Sequence, residues 1–275
     1  MLKKFIFQRS FAYLYNRLTT DFWYDPVVHK YLSNSGLVIR NNLIDFPRFA
    51  ESIKIDVGLS GNAPQSEIWT QHDSKLIVIG FEPIAKNRRM IAAYSSPWPI
   101  KLNPLKLAKS VFIIPVALSS TSHSKKLIMH ITDDDSGCSS LLTPTELKHS
   151  TFEYVPVFCL QDFFIFFDFQ RHRYIDHLKI DAQGMDFEIL IGCKKYLKYI
   201  SYVTAEVDRS YEESQNSIFK LKIYMLIRGF IKVGKLNSMI LKLFYNHKIV
   251  CSDPTFFNLR SFYQNRKNLF IYQQG

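Results

Sequence analysis

Two short apolar runs set one helix apart constrain this chain more than anything else in it. Ser52 to Val57 and Lys75 to Phe81 each read as a buried strand, and Pro64 to Asp73 between them suits a helix, which together make a βαβ unit. The texture continues downstream. A second helix is predicted after Pro83, running through Arg88 and Ile91 to Tyr94 before the Pro97, Pro99, Pro104 cluster breaks it. Val111 to Leu118 reads as a third strand, with Pro115 marking an edge or a strand end. Tyr174 to Asp181 and Ser201 to Val207 are further strands around a helix predicted over Met185 to Leu197. Ser217 to Ile227 then gives an amphipathic helix that stops at Gly229, and Phe230 to Val233 and Thr255 to Leu259 supply late strands. Strands alternating with helices of about 10 to 15 residues predict an α/β fold, an open and mainly parallel sheet with helices on both faces.

Two regions stand apart from this rhythm. Lys126 to Ile131 and Tyr154 to Phe158 flank a polar loop and predict a β excursion, while the oily run Phe163 to Phe169 predicts a core helix. Residues 1–50 are aromatic and basic, and are expected to pack on the core domain of residues 51–260 because Phe5, Phe7, Phe11, Tyr13 and Trp23 are too oily to stay solvated. Residues 261–275 form a C-terminal tail. A chain of 275 residues accommodates one such domain with extensions.

Composition excludes some classes. With 47% hydrophobic and 21% charged residues the chain is not disordered throughout. No apolar run reaches the roughly 18 residues of a membrane span. The four cysteines, Cys138, Cys159, Cys193 and Cys251, form no C-x-x-C pair, which predicts reduced thiols, no zinc site and a cytoplasmic protein. Met1-Leu-Lys-Lys-Phe5 lacks a following apolar core and cleavage site, so no secretory signal is expected. The net charge of +11 suits nucleic acid, an anionic cofactor or an acidic membrane surface, yet the excess is scattered and reads as background. Nothing in the sequence sets the oligomeric state.

In open α/β sheets ligands bind outside the carboxyl ends of the strands, so chemistry is sought there. Asp56-Val-Gly58-Leu-Ser60-Gly61 is a sharp turn whose glycine lets backbone approach a ligand; read alone, it serves equally as a structural turn. It lacks the G-x-G-x-x-G spacing, which counts against a nicotinamide or flavin oxidoreductase. Gly80-Phe-Glu82-Pro83 places an acid where it can accept from both hydroxyls of a ribose, or charge a helix start. Lys179-Ile-Asp181-Ala-Gln183-Gly184 crowds polar side chains at a third strand end. Either Asp181 and Gln183 there cap the next helix, or Asp181 is a base or metal ligand facing the transferred group, and Glu206 has the same ambiguity one strand on. The histidines form no H-x-H or H-x-x-x-H ligand pair.

In this order, Asp56-Val-Gly58, Phe81-Glu-Pro83, Pro115-Val-Ala117-Leu-Ser119, Gly137-Cys-Ser-Ser140-Leu141, Lys179-Ile-Asp181-Ala-Gln-Gly184, Gly192 and Glu206 resemble the FkbM family of S-adenosylmethionine-dependent methyltransferases, over about residues 52 to 260. The resemblance implies a class I, Rossmann-like methyltransferase fold with seven mainly parallel strands, and O-methylation of a hydroxyl on a glycan or small metabolite. It implies that Asp56, Gly58, Ser60, Glu82 and Ala117 hold S-adenosyl-L-methionine, with Asp56 and Gly58 at its methionine end and Glu82 at the ribose. Asp181 would face the acceptor as the catalytic residue, with Ser140, Lys179, Gln183 and Glu206 around it. Two positions depart from the family pattern. Leu59-Ser60-Gly61 displaces the second glycine of the first loop, and Gln183 stands where the family usually has Glu, a poorer ligand for a hard cation, so no metal is expected. Two alternatives stand beside this reading: an RNA or cap ribose 2'-O-methyltransferase, which would need a contiguous basic groove beside Asp181, and a noncatalytic binding protein on the same fold.

Overall fold

The computed structural model describes residues 25–123, 126–133, 135–144, 148–149, 151–206, 217–233 and 254–261. The expectations for Phe5, Phe7, Phe11, Tyr13, Trp23, Val207, Cys251 and nearly all of the C-terminal tail lie outside these residues.

The first described helix, α1 (Pro26–Asn34), begins on an Asp25 carboxylate that accepts from the Val27 N–H at 2.7 Å, with proline in its first turn. Strands β1 (Ile39–Arg40) and β2 (Leu43–Ile44) form a small antiparallel pair. The βαβ unit follows as β3 (Ser52–Val57), α2 (Pro64–His72) and β4 (Leu76–Phe81), then α3 (Ala85–Ala93) and β5 (Val111–Ile114). Next come β6 (Ala117–Leu118), β7 (Leu127–Ile131), β8 (Thr151–Val155), β9 (Val157–Phe158) and α4 (Leu160–Phe164). The chain returns to the main sheet with β10 (Ile175–Ile180), α5 (Asp186–Gly192) and β11 (Ile200–Ala205). It then continues through α6 (Ile218–Ile227) and β12 (Phe230–Val233) to β13 (Thr255–Asn258).

Seven strands form one sheet in the order β12-β13-β11-β10-β3-β4-β5. The five from β11 to β5 are mutually parallel, and β13 runs antiparallel to both its neighbours. The fold is a mostly parallel α/β sheet, consistent with a Rossmann-like methyltransferase. Strand order reverses at β3 and β10, because β4 and β5 are laid down on one side of β3 and β10 and β11 on the other. That switch is where ligands enter such sheets.

Each face has its own core. Ile53, Ile55, Val57, Ile77, Ile79, Leu178 and Ile180 pack with α1, α4 and α5 on one side; Leu76, Val78 and Val111 pack with Leu59, Ala63 and Ile91 on the other. All six residues of β4 are buried, as a central strand covered on both faces requires. Val28, Leu32, Leu37, Ile44 and Phe46, from the described part of the N-terminal segment, belong to the first core.

Three elements differ from the sequence reading. The run 111–118 is two strands, because Pro115 has no N–H to donate; β5 ends at Ile114, and Ala117-Leu118 pairs with β9 instead. The helix expected over 185–197 stops at Gly192, and a 3-10 turn over Lys194–Tyr199 follows after Lys194 takes a left-handed φ of 46°. Gly192 is a close-approach residue, since a Cβ there would lie 2.4 Å from the Ser119 carbonyl oxygen. In the oily run only α4, ending at Phe164, is α-helical, although Phe163, Phe164, Phe166 and Phe167 are all buried as expected. No helix among the described residues is long and apolar enough to cross a membrane. Cys138, Cys159 and Cys193 are free thiols.

Candidate functional site

The register brings four acids to one edge. Asp56 pairs with Lys179 across β3 and β10 one residue before β3 ends, while Glu82, Asp181 and Glu206 directly follow β4, β10 and β11. All are at the carboxyl ends of parallel strands. A cavity of about 510 Å³, part of it open to solvent, lies there beside the strand-order switch. Gly58, Ser60, Glu82, Ala117, Ser140, Asp181 and Gln183 line it. Asp56, Lys179 and Glu206 do not, and they act on it from behind or beside.

The turn after β3 is built by unusual backbone. Gly58 (φ 79°), Ser60 (φ 53°) and Ala63 (φ 46°) are all left-handed. Only glycine fits at the first, where a Cβ would fall 1.8 Å from the Asp181 carbonyl oxygen. Gly61, by contrast, has ordinary φ, and a Cβ there would press on the Met90 side chain. Ser60 therefore carries the left-handed position in the displaced-glycine loop, its hydroxyl donating to Asn62 Oδ1 at 2.6 Å.

Glu82 is 2% exposed, yet its carboxylate lines the cavity. Its Oε1 accepts from the Ile84 N–H at 2.9 Å and from Asn87 Nδ2 at 3.3 Å, and the Ser60 N–H adds a further bond. Burial nonetheless pushes the carboxyl up to about 7. Asn87 is held in turn by Ser136, whose hydroxyl donates to Asn87 Oδ1 at 2.6 Å. Sequence reading missed Asn87 and Ser136; the available signal was an amide in the first turn after Glu82-Pro83. Apolar walls come from Phe81, Ile84, Val116, Leu118 and Met129.

Asp181 is half-buried and tied down on both oxygens. Lys179 Nζ donates to Oδ2 at 2.9 Å, and Gln183 Nε2 donates to Oδ1 at 2.9 Å and to Glu206 Oε2 at 3.0 Å. Burial alone would raise the Asp181 carboxyl, but Lys179, with the bonds from Gln183 and Glu206, outweighs it and holds the group below the usual carboxylate range. The helix-cap reading of Asp181 and Gln183 does not hold: the N-cap of α5 is Met185, and no side chain caps it. Gln183 is left-handed (φ 49°), and its carbonyl accepts from the Ser140 hydroxyl at 2.6 Å, which ties the β7–β8 excursion to the end of β10.

Behind the cavity, Asp56 is 1% exposed and accepts from Ser66 at 2.7 Å on Oδ2, with Lys179 Nζ 3.9 Å from Oδ1. Burial raises its carboxyl. Among the described residues no group of three or more His, Cys, Asp or Glu is placed to hold a metal.

A buried carboxylate among fixed donors, facing a slot with apolar walls, is the donor set a nucleoside needs: two hydroxyls to accept from and a flat base to cover. Comparison with protein families matches residues 60–232 to the Methyltransferase FkbM domain. No curated protein and no solved structure matches the chain. Members of that family use S-adenosylmethionine, a nucleoside that the cavity's residues fit. The match covers more than half of the chain and all the cavity-lining residues except Val57 and Gly58, and on that ground the protein belongs to the FkbM methyltransferases.

Proposed function

We propose that this protein methylates a hydroxyl oxygen of a glycan or small metabolite, with Asp181 at the acceptor. The observation that carries the reading is that one cavity is lined both by Glu82, a buried acceptor suited to a ribose, and by Asp181, a carboxylate kept charged by Lys179. S-adenosylmethionine, when bound, supplies a methyl already activated as a sulfonium. Glu82 accepts from the ribose hydroxyls, the Gly58–Ala63 turn faces the methionine end, and Ala117 with its apolar neighbours covers the base. Asp181 accepts the acceptor's O–H and orients its oxygen. A carboxylate below its usual pKa is a weak base, so its proton arrives late, as the new C–O bond forms and the C–S bond breaks. Lys179 is a positioning residue here: it fixes the Asp181 rotamer and charge from below.

Among the described residues no Lys or Arg lines the cavity, and Lys179 is turned onto Asp56 and Asp181. This favours an uncharged polyol over the phosphate backbone of RNA. The test is a labelled-methyl transfer assay over a panel of glycans, small alcohols and RNA, run with the parent and with Asp181→Asn. Transfer to an alcohol that Asp181→Asn abolishes while cofactor binding survives supports the assignment. Methylation of RNA alone, or of nitrogen, overturns it.

A further inference from the structure

Helix α6 is apolar on both of its sides. Leu221 and Met225 are buried against the domain, and Tyr224 packs edge-on to Phe187 of α5 at 5.5 Å between ring centroids. Each helical residue turns about 100°, so Phe219, Ile223, Leu226 and Ile227 fall together on the opposite arc. These four are 70%, 42%, 66% and 76% exposed. Lys220 borders the arc on one side and Lys222 on the other, both exposed, and Arg228 and Arg260 stand exposed near its C-terminal end around Gly229. Glu188 of α5 reaches the Lys220 charge from the buried side.

An outward apolar arc edged with cations is the pattern of a helix lying in a lipid interface: the apolar groups enter the acyl boundary and the lysine stems carry their charges back to the headgroups. We propose that α6 docks the protein on an anionic bilayer surface through Phe219, Ile223, Leu226 and Ile227, with Lys220 and Lys222 meeting lipid phosphates. Charge complementarity selects this occupant, because a chain of net charge +11 is drawn to an anionic leaflet. A second copy of the chain is a poorer fit. A ten-residue helix, about 15 Å long, offers a strip far short of the roughly 800 Å² per partner of a stable interface. The scattered positive charge, which the sequence alone reads as background, thereby gains a local use on this face.

Co-sedimentation of the full chain with vesicles tests this, comparing phosphatidylcholine alone with phosphatidylcholine mixed with phosphatidylglycerol. The mixed vesicles should capture the protein, and added salt should release it. A Phe219→Ser/Leu226→Ser variant should lower the partition coefficient at least about tenfold, since two large apolar groups no longer enter the lipid. Lys220→Gln/Lys222→Gln should remove the preference for the anionic mixture. Thermal melting and S-adenosylmethionine binding should match the parent in each, and Ile227→Ser, the most exposed of the four, serves if the double variant fails to fold. Failure of the parent to bind either vesicle overturns the proposal. So does capture that persists in the apolar variants, or a dimer in sedimentation velocity that those variants dissolve.

Discussion

Lys179 stands between two carboxylates, donating to Asp181 at 2.9 Å while lying 3.9 Å from the buried Oδ1 of Asp56. One ammonium thus stands between an acid behind the cavity and an acid that lines it. Neutralising it leaves the buried Asp56 with its Ser66 bond but no counter-charge, so Lys179→Met should cost about 3–5 kcal/mol of stability. Adding Asp56→Asn should recover much of that loss. Urea denaturation of both single variants and the double variant measures the coupling, and additive effects would show that the two residues do not communicate.

Asp181→Asn keeps the side chain's shape and removes its charge. Turnover should fall by about 10²–10⁴-fold, the range of general-base assistance, with cofactor affinity nearly intact. Single-turnover rates and calorimetry on the same preparation separate the two effects. Full activity in the folded variant would remove Asp181 from the chemistry.

Burial lifts the Glu82 carboxyl from 4.5 to about 7, so the folded chain binds a proton there that the unfolded chain has already lost between these values. The Glu82 contribution to stability should therefore decline as pH rises from about 4.5 through 7; it is read as the pH-dependent difference between the parent and Glu82→Gln, because buried His177, its imidazole pushed down to about 3, slopes the other way below 6.5 in both proteins. S-adenosylmethionine affinity should move the other way. The ionised form is the one that accepts from two hydroxyls, so Kd should rise up to about tenfold for each unit that the pH falls below 7 and level off above it. Glu82→Ala should weaken binding by about 1.5–3 kcal/mol at neutral pH. Calorimetry at several pH values, in buffers of different ionisation heat, reads both the affinity and the proton released.

Gly58→Ala places a methyl group onto the Asp181 carbonyl and forces a left-handed alanine. A loss on the order of 3 kcal/mol is expected from overpacking and backbone strain together. Because β3 and β10 must separate locally to relieve the clash, turnover should fall further than the melting shift explains. Thermal melting with activity measured well below the transition checks this.

The sheet was legible because its strands are buried on both sides and so appear as unbroken apolar runs, as in Leu76 to Phe81. The strand-end acids were legible too, since topology alone sends them to one edge. Side-chain partnerships were not. That Lys179 reaches both Asp56 and Asp181, or that Ser136 holds Asn87 against Glu82, depends on rotamers set by neighbours distant in sequence. Gln183, read as a position that weakens a metal site, is a bridge between the Asp181 and Glu206 carboxylates. The break at Lys194 escaped notice because the apolar spacing of Ile189, Leu190 and Leu197 fits one continuous helix, whereas the close approach of Gly192 to Ser119 has no local signature.

The β7–β8 excursion carries Met129, Ser136, Gly137, Ser139, Ser140 and Leu141 into the cavity, yet rests on a small core of its own with Ile84, Ala117, Val155 and Val157. Strands β7 and β8 contribute no residue to either of the cores that hold the main sheet together, and Leu141 and Leu142 from the stretch between them pack on the larger one. The cavity is thus a composite of two inheritances: a floor whose residues are fixed by the packing of the whole domain, and a wall carried by a hairpin with a small core of its own, moored to the domain at a few points such as the Ser140–Gln183 and Ser136–Asn87 bonds. Substitutions in that wall can redraw the shape offered to an acceptor while the Glu82 and Asp181 strand ends stay where the sheet puts them.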